Sequence, residues 1–156
     1  MSKRIVATIP DPMRMRVQAR TEDGHPIEMD TDPPDGEGAA AGPREALLAA
    51  LAGCTAMDVA SILRKKRQVP AQYEIVVEAD AAEEHPQVFT HIIVEHHVDA
   101  SVAAEPLRRS IELSATRYCP VSAMLSRAVE IEHRYRIAGG ASVVVAVTGP
   151  QGRRVH

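Results

Sequence analysis

The segment from Pro43 to Gln68 constrains this chain more than any other. Pro43 occupies the first-turn position that proline favours, with Glu45 in the same turn. Arg64, Lys65, Lys66 and Arg67 form the last turn, where cations suit the helix dipole, and Pro70 stops it. Between these ends, Leu47, Leu48, Leu51, Cys54, Met57, Val59, Ile62 and Leu63 spread apolar groups around nearly the whole circumference. The spacing therefore predicts a long central helix buried on most sides. Asp58 and Ser61 interrupt its most apolar stretch, which argues for a protein interior and against a membrane span.

A helix of that kind needs covering layers, and the flanking sequence supplies strands. Arg4–Ile9 is a short strand stopped by Pro10 and Pro12. Met13–Arg20 alternates, placing Arg14, Arg16 and Arg20 on one face. Glu22-Asp23-Gly24 signals a hairpin turn into His25–Thr31. Residues 32–42 carry two prolines and three glycines and read as a mobile loop. After the helix, Tyr73–Ala79 and Val88–Val98 form a second hairpin. Pro106 opens a further helix with Leu107, Ile111 and Tyr118 on one stripe, and Pro120 opens a short one running to about Ala128. Val129–Ile137 alternates as a strand, Ser142–Thr148 is β-prone, and a polar tail follows. The class is α+β: antiparallel hairpins around one central helix, in a single domain over residues 1–156. Its segments are the strands of 1–31, the loop 32–42, the helix 43–68, the hairpin 72–98, the helical region 106–128 and the strands 129–148.

Composition removes several classes of function. Aromatics are 3% of 156 residues, with no Trp, too few for base-stacking platforms. The net charge of −3 gives no basic field for nucleic acid. The basic N-terminus leads into no apolar leader, so the expected setting is the cytoplasm, with no membrane partner. Adjacent His96 and His97 point to opposite strand faces, and the spacing of His91, Glu95 and His97 matches no metal motif, so no metal is expected. His133 reads as a strand residue satisfied in place.

Two cysteines are left to explain. In a reducing compartment such a pair is redox-active, catalytic or simply buried. Cys54 sits mid-helix with Asp58 one turn later on the same face, and that carboxylate raises a thiol pKa. Cys119 precedes Pro120 and so holds the N-cap of a short helix, where free N–H groups favour a thiolate. Local physics alone thus ranks Cys119 as the thiol with the lower pKa. Activation of Cys54 would need a cation from elsewhere, with Arg14, Arg16 and Arg20 as candidates.

The segments PREALLAALAGCTAMDVASILRKKRQ and RSIELSATRYCPVSAMLSRAVEIEHRYRI, with FTHIIVEHHV between them, resemble the OsmC-like family of organic hydroperoxide resistance proteins, in a short branch of it. The resemblance implies an intertwined homodimer with back-to-back central helices and active sites at the dimer interface. It also implies a peroxidase chemistry in which Cys54 attacks a hydroperoxide and Cys119 resolves the sulfenic acid to a disulfide. That order reverses the local ranking. No bound cofactor is implied, only an external dithiol reductant and a small hydrophobic peroxide or other apolar ligand. Peroxidase members carry a glutamate ten residues before the first cysteine. Here Arg44 stands at that position and Glu45 is next to it, leaving Glu45 and Asp58 as supporting acids. Two alternatives use the same residues: a non-enzymatic redox-sensing or small-molecule-binding dimer, and a cysteine-dependent acyl hydrolase with a histidine beside Cys54.

Overall fold

The computed structural model describes residues 2–156, in two compact units that meet at Leu48 and Ala49 inside the long helix. The first unit holds a three-stranded antiparallel sheet in the order β1 (Ile5–Thr8), β2 (Val17–Thr21), β3 (Pro26–Met29). The turn expected at Glu22-Asp23-Gly24 forms, with Gly24 at φ +87° and its N–H bonded to the Thr21 carbonyl at 2.9 Å. β2 is shorter than its alternating pattern suggests. The Asp11 carboxylate accepts from the Met13 N–H at 3.0 Å, and the Asp11 carbonyl accepts from Arg14 N–H at 2.9 Å. This local turn keeps residues 13 and 14 out of the strand.

The loop after β3 is closed on itself. Asp30 accepts from Thr31 N–H at 2.8 Å and Ala39 N–H at 3.0 Å, and its own N–H reaches the Ala41 carbonyl. Gly36 passes so near this backbone that a Cβ would stand 2.1 Å from the Thr31 carbonyl oxygen, so only glycine fits.

α1 (Pro43–Lys65) starts with Glu45 bonded back to the Gly42 N–H at 2.8 Å, the acid half of a capping box. It ends with Arg67 in the left-handed region at φ 58° and Gln68 N–H on the Leu63 carbonyl, a Schellman-type stop. Burial on α1 differs from expectation. Leu51, Thr55, Val59 and Leu63 make one buried stripe at i, i+4 spacing, while Leu47 is 41% and Met57 75% exposed. The chain covers one side of the helix only, so its circumferential apolarity is not matched by burial within one chain.

The second unit contains a five-stranded sheet in the order β4 (Tyr73–Ala81), β5 (Phe89–Val98), β6 (Glu130–Ile137), β7 (Val143–Gly149), β8 (Gly152–Val155). It is antiparallel except for β5 and β6, which run parallel with His91 opposite Glu130 and Val98 opposite Ile137. The crossover between them carries α2 (Ala104–Leu113), a π-turn at Ser114–Tyr118 and α3 (Pro120–Leu125). A parallel pair requires a long connection of this kind. β8, read from sequence as polar tail, returns through a two-residue turn to pair with β7. Arg153 reaches the Thr116 carbonyl at 2.9 Å.

The core of this unit joins Val59 and Leu63 of α1, Leu107 and Ile111 of α2, Ala115 of the π-turn, and Val98, Tyr135, Val145 and Ala146 of the sheet. The π-turn corrects the expected stripe. Its wider turn shifts the helical phase, so Ser114 and Ala115 are buried where Tyr118, 49% exposed, was expected to face inward.

Candidate thiol site

α1 and the crossover bring the two cysteines together. The Cys54 and Cys119 sulfurs and a carboxylate oxygen of Asp58 all lie within 4.8 Å of one another. Both thiols are free; Cys54 is half-buried and Cys119 is buried. Cys54 and Asp58 share a face of α1 because they stand one turn apart. Cys119 arrives from the other side because the π-turn ends there, its N–H bonded to the Ser114 carbonyl at 3.0 Å. A disulfide needs about 2.05 Å between sulfurs, so closing the pair takes a movement of at most about 3 Å.

The N-cap at Cys119 exists as expected, with its sulfur accepting the Ser122 N–H at 3.3 Å. The lowered pKa expected there does not follow. Burial first, then the hydrogen bond with Cys54, push the Cys119 thiol up to about 12, and the charge of Asp58 adds to this. One N–H at the start of a six-residue helix does not offset desolvation plus two neighbouring acids. Cys119 is therefore protonated at neutral pH.

Two serines support the site, and sequence reasoning did not single out either. Ser114 Oγ donates to Asp58 Oδ2 at 3.0 Å. Ser122 Oγ lies 3.5 Å from His133 Nε2. The available signal for Ser114 was its phase: a polar residue seven after Leu107 and three after Ile111 stands on a buried stripe. Beyond them, His133 and His96 are buried on adjacent strands, with His96 Nδ1 2.8 Å from the Tyr73 hydroxyl. His96 Nε2 has no hydrogen-bond partner among the described residues. Burial holds His133 down at about 4 and His96 at about 3, so both are neutral imidazoles.

The remaining sequence candidates have their own engagements. Arg14 pairs with Glu37 and lies 3.8 Å from Asp11. Arg16 pairs with Glu28 at 2.7 Å, and Arg20 donates to the Gly24 carbonyl at 3.4 Å. Glu45 caps α1. Of the seven residues proposed from sequence, Cys54, Cys119 and Asp58 form one cluster. His91, Glu95 and His97 do not converge on a metal: His97 and Arg136 both pair with Glu95, at 2.8 and 2.7 Å. Burial opposes charge on Glu95, yet bonds from Ser142, Arg136 and His97 hold it down at about 2.

A sheet-and-crossover fold with two facing thiols on a long helix and a Cys-Pro turn defines an OsmC-like protein. The chain belongs to that family, whose model, described as OsmC-like protein, matches residues 36–134. α1, long and apolar enough to cross a membrane by length and composition, lies within that match. Protein YhfA of Escherichia coli K12 is 41% identical over 120 residues, covering 73% of this chain and 84% of its own. An OsmC-like protein from Mycoplasma pneumoniae has a TM-score of 0.75 at 16% identity, covering 88% of this chain and 98% of its own. An organic hydroperoxide resistance protein OsmC from Legionella pneumophila, described as a predicted redox protein, scores 0.64 at 15% identity over 88% and 97%.

Proposed function

We propose that the chain is a cytoplasmic thiol-dependent peroxidase acting on organic hydroperoxides. The observation that carries this reading is the Cys54–Cys119 pair, with sulfurs within 4.8 Å in an OsmC-like fold. Cys119 is held protonated, which leaves the attack to Cys54. Cys54 sulfur takes the distal oxygen of the hydroperoxide, giving the sulfenic acid and an alcohol. The Cys119 thiol then attacks that sulfur, its proton leaves with the hydroxyl as water, and a disulfide forms. An external dithiol reopens it, and no bound cofactor takes part. The chain acts as a homodimer, a reading supported by the uncovered apolar side of α1 around Met57.

The test is hydroperoxide consumption with a dithiol donor, together with intact mass after one equivalent of peroxide. Turnover should vanish in Cys54→Ser. Cys119→Ser should trap a sulfenic acid. Absence of both turnover and a Cys54–Cys119 disulfide overturns the proposal. Asp58 favours a second reading, because its charge opposes thiolate formation at Cys119. Stoichiometric oxidation without turnover would select a redox-sensing dimer.

A further inference from the structure

We infer that Cys54, Asp58 and Cys119 bind a thiophilic divalent cation, zinc in the first instance, through three protein ligands with a fourth position open. The three ligating atoms lie within 4.8 Å of one another. Around tetrahedral zinc, bonds of about 2.0–2.3 Å set ligand atoms about 3.5–3.8 Å apart, so each needs to close by only about 1 Å. Cys54 and Asp58 stand one helical turn apart on α1, the spacing by which a helix offers two ligands from one face. Cys119 supplies the third from a separate element, so the chelate is not a property of one helix.

Outer contacts fit the same reading. Ser114 Oγ donates to Asp58 Oδ2, which orients the carboxylate. The Ser122 N–H donates to Cys119 sulfur, the kind of bond that steadies a metal thiolate. A thiolate is the ligand such an ion takes, so binding displaces the thiol protons. Two sulfurs and one carboxylate oxygen suit zinc, and the half-exposed Cys54 side gives an entry path.

Ion binding does not depend on the peroxidase reading, but one consequence does. The ion and the Cys54–Cys119 disulfide exclude each other. A hydroperoxide takes two electrons from the two thiolates and, with two protons, becomes alcohol and water. The sulfurs join and the ion leaves. The site would thus hold its thiols reduced in zinc and release zinc on oxidation.

The test uses the reduced full-length chain, titrated with zinc in competition with a chromophoric chelator and with cobalt(II) as a spectroscopic probe. The expected result is one ion per chain with a sulfur-to-cobalt charge-transfer band. Uptake should be lost when the thiols are reversibly blocked and regained on reduction. Asp58→Asn and Ser114→Ala, checked for native circular dichroism, should each weaken binding about 10- to 100-fold. No uptake by the reduced chain overturns the inference. So does uptake that survives thiol blocking, which would place the ion on histidines. Peroxide turnover is measured separately: zinc uptake without turnover removes the peroxidase reading alone, and turnover without uptake removes this one alone.

Discussion

Two neutral histidines at the floor of the sheet make the fold sensitive to mild acid. His133 and His96 are both buried, and burial depresses their pKa values from 6.5 to about 4 and about 3. Because the folded values are lowered, the unfolded chain binds protons more readily below pH 6.5. The stability tied to these groups is fully present above 6.5 and is lost as pH falls toward the folded values. At pH 5 the difference in proton binding costs about 2 kcal/mol for each histidine, about 4 kcal/mol together. Glu95 and Asp99, both held at about 2, lose their contributions only as pH falls through the ordinary carboxylate range toward 2. The window from pH 7.5 to 5 therefore reports on histidine. Urea unfolding at fixed protein concentration should show the midpoint falling by about 2 M across that window, at a slope of about 2 kcal/mol/M. His133→Gln, which has no titratable ring, should remove about half of the fall. Stability that is flat from pH 7.5 to 5, or an unchanged fall in His133→Gln, would refute the reasoning.

Two further perturbations probe the scaffold. Ile111→Ala removes a fully buried side chain between α1 and the sheet and should cost about 2–5 kcal/mol by denaturant unfolding. Gly36→Ala drives a methyl group against the Thr31 carbonyl and should cost about 1–3 kcal/mol, read as a lower melting temperature and faster protease cleavage within residues 31–42.

Much of the fold was legible because period and punctuation agree along the chain. α1 declared itself through Pro43, its apolar run and Pro70, and β6 through the alternation of Ile131, His133 and Tyr135. What escaped was set by contacts distant in sequence. The parallel pairing of β5 with β6 depends on where the crossover lands. The π-turn leaves no compositional mark and shifts Tyr118 out of the core by phase alone. β8 is four residues with two arginines, too short and polar to show a strand period. At the site, the cysteines were legible as residues. The Cys119 pKa was not, because desolvation and the nearness of Cys54 and Asp58 outweigh the local N-cap.

The parallel β5–β6 pair also sets when the thiol site can exist. The 31 residues from Asp99 to Val129 separate the two strands, and they carry Ser114, Cys119 and Ser122. No short-range contact holds Cys119 near Cys54, which lies 65 residues earlier. Only closure of this long connection does so, and such closure is slow and entropically costly. A chain whose α1 has formed but whose sheet is still open therefore carries two ordinary, independent thiols. Their shared chemistry begins when this connection closes, so the reactivity of Cys54 reports whether the second unit is complete.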